Sequence, residues 1–151
     1  VITSDNKISI VGPQIFYYEQ PKKLWFLGAD VNLSTGSIKI WHQGEENPFS
    51  DNSVLDTNYV SGAGMMIRAT TLRSLGLFDP YFFIYWDDVE LSTRFLKAGY
   101  QVKSVPSAKM WHKVSSADTA GRISHFLMGR NQLYFCRKYN TFSIFWFKIV
   151  A

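Results

Sequence analysis

The sequence predicts a mixed α/β layer structure, its sheet drawn mainly from the first half of the chain and two long helices packed against it. Three observations carry this. Apolar and polar residues alternate through much of the first forty positions in the two-residue period of strands. Residues 88–98 and 122–139 switch to the spacing of amphipathic helices. A length of 151 residues with 46% hydrophobic content supplies one sizeable core. No repeat, low-complexity tract or linker divides the chain, so a single domain over 1–151 is expected.

In order, an Asp5-Asn6 turn leads into residues 7–11, where Ile8 and Ile10 share one face of a half-buried strand. Gly12-Pro13 is expected to end that strand, with 15–18 as its continuation. Residues 24–33 form a second β-type run and 37–41 alternate again. The Ser34-Thr35-Gly36 turn between them predicts a hairpin. The polar stretch 43–58 reads as a surface loop, either a plain connection or one wall of a pocket. A buried strand is expected over 59–68, broken by Gly62-Ala63-Gly64. A short helix over 70–75 stops at Gly76, and the aromatic segment 78–86 follows, turned by Asp79-Pro80. The clearest helix spans 88–98. Val89, Leu91, Phe95 and Leu96 make its apolar stripe, and Glu90 can pair with Arg94 four residues on. Residues 101–105 and 108–111 read as short strands hinged at Pro106 and ending in His112. The small polar stretch 115–121 is expected to be flexible, and residues 122–139 form the second long helix.

Composition bounds function loosely. A net charge of +4 favours anionic partners such as nucleotides, diphosphates or lipid headgroups without choosing among them. The single cysteine, Cys136, excludes an internal disulfide and fits a buried inert thiol in a cytosolic setting. Aromatic residues make up 17% of the chain, a surplus suited to a sugar-stacking or interfacial surface. The start, VITSDNKISIVG, carries neither a leader pattern nor a methionine and suggests a chain that begins inside a longer protein. The apolar end, FSIFWFKIVA, is shorter than the roughly 20 residues of a membrane span. It reads as a final core element or as a truncated membrane-seeking segment.

Asp87-x-x-Glu90 fits a capping box, in which the Asp87 side chain accepts from the Glu90 amide and Glu90 reaches back. That accounts for Asp87 without catalysis. It leaves Asp88 unexplained: a carboxylate in the first turn of a helix, behind an aromatic rim that ends in Trp86. The helix dipole would keep it ionised, and it could act as general base toward a hydroxyl. His112 could contact a metal or a phosphate, or could be a satisfied core or surface histidine. His42 and His125 have no ligand-like neighbour at useful spacing. Gly62, Ala63 and Gly64 match neither the Rossmann fingerprint nor the P-loop. Bare backbone there would let a flat ligand lie against the amides, or let a helix pack tightly above it.

Taken in order, VSGAGMMIR, GLFDPYFFIYWDDVELSTRFLKAGY and VPSAKMWH resemble the C-terminal half of family 2 glycosyltransferases of the GT-A fold, particularly the bacterial rhamnosyltransferase-like branch. The likeness spans roughly residues 10–139. It departs from the family pattern at Pro80, where an acidic residue is usual, and at Asp87, where Glu is commoner. It implies an α/β fold of the GT-A type, of which this chain would be the acceptor-side half, with a mixed sheet and packed helices. The nucleotide-binding half, with its Asp-x-Asp metal site, would lie upstream, since no Asp-x-Asp occurs here.

The activity implied by the resemblance is inverting transfer of a sugar from a nucleotide-diphosphate donor to a saccharide or lipid-linked acceptor in cell-surface polysaccharide synthesis. The isolated chain would be inactive. Asp88 would be the base and Asp87 would orient it. Gly62, Ala63 and Gly64 would border the donor sugar, Trp86 would lie at the donor or acceptor, and His112 would help hold Mg²⁺ or Mn²⁺ or the diphosphate. Nucleic acid is not among the implied partners. The implied location is the cytoplasm, at the inner face of the plasma membrane, with peripheral membrane contact. A sheet edge or apolar surface bared by the missing half would allow self-association. The alternative, from another class, is a non-catalytic carbohydrate-binding or scaffolding module that keeps the fold.

Overall fold

The computed structural model describes residues 1–46, 53–114 and 121–139. The expectations for 115–120, for the middle of the 43–58 loop and for the apolar end lie outside the described residues. Strand β1 (Ile8–Tyr17) is the spine of the main sheet. It does not stop at Gly12-Pro13 as expected. Pro13 sits where the register of β1 on its neighbour jumps from Val105 to Lys109, and a proline's missing N–H is tolerated at such an irregularity. Gly12 is needed for another reason, since a Cβ there would lie 2.6 Å from the Cβ of Val60.

The long strand at the C-terminal side, Gln101–His112, pairs in parallel with β1 along its length, from Ile8↔Gln101 to Tyr17↔His112. The two short strands predicted around Pro106 are therefore one strand with a bulge. Leu24–Phe26 (β2) and Met66–Ile67 lie antiparallel on the opposite edge of β1, one at each end. Ala29–Asn32 (β3) and Ser37–Ile40 (β4) form the expected hairpin, closed by Gly36 at φ 62°. Leu55–Asp56 (β5) adds an antiparallel edge to the long strand, a pairing the polar composition of 43–58 did not signal. In chain order Met66–Ile67 is β6 and Gln101–His112 is β7, so the sheet runs β2-β1-β7-β5 with β6 beside β1. The helices are α1 (Ala69–Leu75), α2 (Asp87–Lys97) and α3 (Arg122–Tyr139).

Residues 59–68 were expected to form a buried strand broken by Gly62-Ala63-Gly64. Only β6 is strand, and Gly62–Gly64 is a turn of 3-10 helix capped by the Ser61 hydroxyl. Two glycines in three residues left too little β-propensity to hold the ladder.

The core joins Ile10, Ile15 and Phe26 of the sheet to Val89, Leu91 and Phe95 of α2, Phe135 of α3 and Phe82 of the aromatic segment. This is the stripe that the helical spacing marked out, and burial of each such side chain is worth about 1.5–3 kcal/mol. Cys136 is buried against the β3–β4 turn, where a Cβ on Gly36 would collide with its sulfur. Only the second half of α3 packs inward, through Asn131, Phe135 and Cys136. In its first half Ile123 is 76% and Phe126 67% exposed.

Candidate active site

Helix α2 begins at Asp87, one residue before the expected start, and its capping differs from the expected box. The N-cap is Trp86, in the left-handed region at φ 67° and without a side-chain cap. The Glu90 amide donates to the Trp86 carbonyl at 2.8 Å instead of to Asp87. The Glu90 side chain, fully buried, does not reach back. It accepts from Arg94 Nη2 at 3.0 Å on its own helix and, across to α3, from Lys138 Nζ at 2.8 Å and the Tyr139 hydroxyl at 2.5 Å. Two cations and a hydroxyl attract the carboxylate more strongly than one backbone amide.

Without a capping duty, the two aspartates differ sharply. Asp88 Oδ2 accepts the Gly62 amide at 2.9 Å across 26 residues of sequence, and Oδ1 accepts the Val89 amide at 2.8 Å. Burial raises its pKa to about 6, and the neighbouring charge of Asp87 adds to the rise; the hydrogen bonds from Gly62 and Val89 offset part of it. A carboxylate that exchanges its proton near neutrality and keeps a fixed orientation is suited to general base work. Tyr59 is buried close by. Burial, with the Asp88 charge as a smaller cause, pushes its phenol well above the usual range, so it stays protonated.

A Cβ on Gly62 would meet Asp88 at an ordinary 3.7 Å contact distance, but a Cβ on Gly64 would lie 2.6 Å from Met110 Sδ and 2.8 Å from the Pro13 ring. The close backbone approach expected of this segment is real, and the glycines have different tasks. Gly64→Ala should destabilise the protein by about 1–3 kcal/mol because the proline ring cannot yield, whereas Gly62→Ala should cost less than half as much in the same urea titration. The amide of Ala63 is taken up by Ser61 Oγ at 3.2 Å, which closes the turn.

Met110, which meets Gly64, stands two residues before His112 on β7, so the two side chains share a face of the sheet. The His112 ring is half-buried and lies against Trp25, 4.8 Å between centroids. Trp86 leans its ring on Phe135 at 5.1 Å, so part of its face is used in packing. The structure thus joins Asp88 to Gly62 directly, and ties Gly64 to the strand that ends in His112 at the carboxyl ends of the parallel pair β1–β7. That is where open α/β sheets place their ligands. Among the described residues no three His, Cys, Asp or Glu side chains converge as a metal site. His112 alone does not make one.

The motifs did not point to the support behind this site. Phe83, Tyr85 and Trp86 all have positive φ, at 59°, 66° and 67°, a conformation that costs about 1–3 kcal/mol for each such residue. The Asn131 side chain donates to the carbonyls of Phe82, Ile84 and Tyr85, each at 2.8 Å. No sequence signal could have shown this, because an asparagine inside a helical pattern usually looks like a solvent-facing residue.

The family model described as glycosyl transferase family group 2 matches residues 2–150. The chain belongs to this family. This family 2 glycosyltransferase chain is 30% identical over 76 residues to an N-acetylglucosaminyl-diphospho-decaprenol L-rhamnosyltransferase of Mycobacterium tuberculosis, covering 50% of this chain and 25% of that protein. It is 28% identical over 142 residues to the galactofuranosyltransferase GlfT2 of the same organism, covering 82% of this chain and 22% of that protein. The chain therefore spans about a quarter of the length of the curated relatives it matches. A solved structure, GalNAc-T7 with UDP, GalNAc and Mn²⁺, superimposes with a TM-score of 0.54 over 75% of this chain and 23% of that one, at 16% identity. The fold is of the GT-A type, as the order of motifs implied.

Proposed function

We propose that this chain supplies the acceptor side of an inverting sugar transfer from a nucleotide-diphosphate sugar, with Asp88 as general base. The observation that carries the reading is the Asp88 carboxylate, aimed by the Gly62 amide and with a pKa raised to about 6. In the transfer, the acceptor hydroxyl gives its proton to Asp88 as its oxygen bonds to the anomeric carbon. The bond from that carbon to the diphosphate breaks, and the nucleoside diphosphate leaves with the bonding electrons. One attack from the face opposite the leaving group inverts the anomeric centre. Asp87 keeps a negative charge beside the base and so favours its proton uptake.

The relatives' names support a saccharide or lipid-linked acceptor, and the neighbour's bound Mn²⁺ and UDP support a nucleotide donor with a divalent cation, Mg²⁺ or Mn²⁺. That cation would neutralise the leaving diphosphate. The described residues offer it one candidate ligand, His112, and do not by themselves form its site. The remaining contacts to donor and metal belong, in this reading, to a nucleotide-binding half outside this chain. The test is sugar transfer by the full-length protein and its Asp88→Asn variant, with the anomeric configuration of the product read by NMR. Retention of configuration, or full activity of the variant, would remove the base assignment. A non-catalytic carbohydrate-binding module would bind saccharide without any transfer.

The same reading places the protein at the cytoplasmic face of a membrane. Ile123 and Phe126 are exposed on α3, a helix with four basic residues and no acidic one, a composition suited to an anionic lipid surface. No helix among the described residues is long and apolar enough to cross a membrane. Sedimentation with vesicles containing anionic lipid should carry the protein down at low salt, and Ile123→Ser with Phe126→Ser should weaken this several-fold. Equal sedimentation of the double variant would exclude this face as the contact.

A further inference from the structure

The segment just before Asp88 holds a conformation that its residues do not favour. Phe83, Tyr85 and Trp86 are all left-handed, none of them is glycine, and Phe83 is 82% exposed, so its own packing does not hold it there. The Trp86 carbonyl takes the first hydrogen bond of α2, and Asp87 and Asp88 follow at once. The path of this turn therefore sets the direction from which Asp88 meets the Gly62 amide.

What holds the turn is α3. Asn131 is fully buried, and its carboxamide nitrogen reaches the carbonyls of Phe82, Ile84 and Tyr85. Its two N–H groups are shared among three acceptors, so its donor capacity is fully used. Its oxygen is occupied as well, accepting from Arg130 Nε at 2.9 Å. Arg130 in turn donates through Nη2 to the Tyr81 carbonyl at 2.9 Å. On the same helix, Tyr134 stacks on Tyr81 at 3.9 Å and meets Phe82 edge-on at 5.1 Å.

We infer that Asn131 is a positioning residue for the transfer: its carboxamide locks the left-handed aromatic turn that aims Asp88 at the Gly62 amide. The inference rests on the reading of Asp88 as base. Asn131 touches neither Asp88 nor Gly62, and acts through the backbone of Phe82, Ile84 and Tyr85. Helix α3 is then part of the catalytic apparatus as well as a layer of the fold.

The test uses the full-length protein with Asn131→Ala and the milder Asn131→Ser, which keeps one donor. Melting curves report the folded fraction, steady-state kinetics give kcat and the donor KM, and hydrogen exchange follows the amides of residues 83–89 and Gly62. The expected result is a kcat reduced at least tenfold in Asn131→Ala and less in Asn131→Ser, with the donor KM within twofold of wild type. Exchange at Gly62 and in the turn should speed up in the same order, while the β1 and β7 amides stay protected. Wild-type kcat per folded molecule, or unchanged exchange at Gly62 and in the turn, would overturn the inference. If Asp88→Asn keeps full activity, or wild type transfers no sugar, the base reading fails. Exchange at Gly62 then still decides whether Asn131 holds the turn.

Discussion

Asp88→Asn should abolish sugar transfer and, at the same time, make the protein more stable above pH 6. A general base contributes about 10²–10⁴-fold to rate, so kcat should fall by at least about 100-fold. The stability gain follows from linkage. Folding raises the Asp88 pKa from 3.8 to about 6, so the folded state holds this proton more tightly than the unfolded one. Stability is therefore lost as pH rises from about 4 to about 6 and stays lower beyond. Asparagine carries no charge into that site and its oxygen still accepts the Gly62 amide. The variant should gain up to about 3 kcal/mol at pH 7.5 and nothing below pH 4. In wild type the same titration should set the acidic limb of the rate profile, with transfer rising through pH 6. What shapes it is burial first, then the Gly62 amide, the charge of Asp87 on the same helix and the Val89 amide; Tyr59, itself raised by the Asp88 charge, stays protonated nearby. Chemical denaturation at the two pH values checks the stability half, and unchanged stability at pH 7.5 would mean that folding does not raise the pKa of this carboxyl.

Glu90→Gln should have the opposite effect. Burial alone would raise the Glu90 pKa, but the hydrogen bonds from Arg94, Lys138 and Tyr139 outweigh it and hold the carboxyl below its ordinary value near 4.5. A depressed carboxylate stabilises the fold above its unfolded pKa, and that stability disappears as pH falls through the lower folded value. The substitution leaves two cations facing an uncharged amide in a buried site, and breaking such a set costs about 3–5 kcal/mol. Lys138 also reaches Asp79 at 2.8 Å, and Arg94 donates to the carbonyls of Leu75, Gly76 and Leu77 at 2.7–2.8 Å. One carboxylate therefore ties α2, α3, the end of α1 and the aromatic turn together. Thermal melting at pH 7 should fall by on the order of 10 °C. The gap should close as pH falls below the ordinary carboxylate range and wild-type Glu90 takes up its proton at its depressed folded value. A variant that melts with wild type at pH 7 would show the cluster to be solvated and weak.

Asp88 and Glu90 stand two residues apart on one helix and titrate with opposite consequences. Nothing in the string Asp87-Asp88-Val89-Glu90 reveals that. The sequence patterns were read correctly where the determinant is local: the apolar spacing of α2, the Glu90–Arg94 pair, the β3–β4 hairpin and the order of motifs that marks the family. The capping box was misread because its residue types are right while its geometry depends on Trp86 being left-handed. That conformation is imposed by α3, some 45 residues later in the chain.

By itself, then, the sequence determined the alternation of layers, the buried face of α2 and the chemical groups available to the site, because periodicity and residue type are properties of neighbours along the chain; the buried face of α3, formed by Asn131, Phe135 and Cys136, was not legible in that way. The sequence also singled out Asp88 as the candidate base; tertiary structure alone decided how that carboxylate is aimed and which way its pKa is shifted. Gly62 and Asp88 are 26 positions apart, and Asn131 lies farther still. Whether an aspartate is held against an amide or a glutamate buried between two cations is a matter of contacts made only after β1, α2 and α3 have packed, and those contacts set the pKa values.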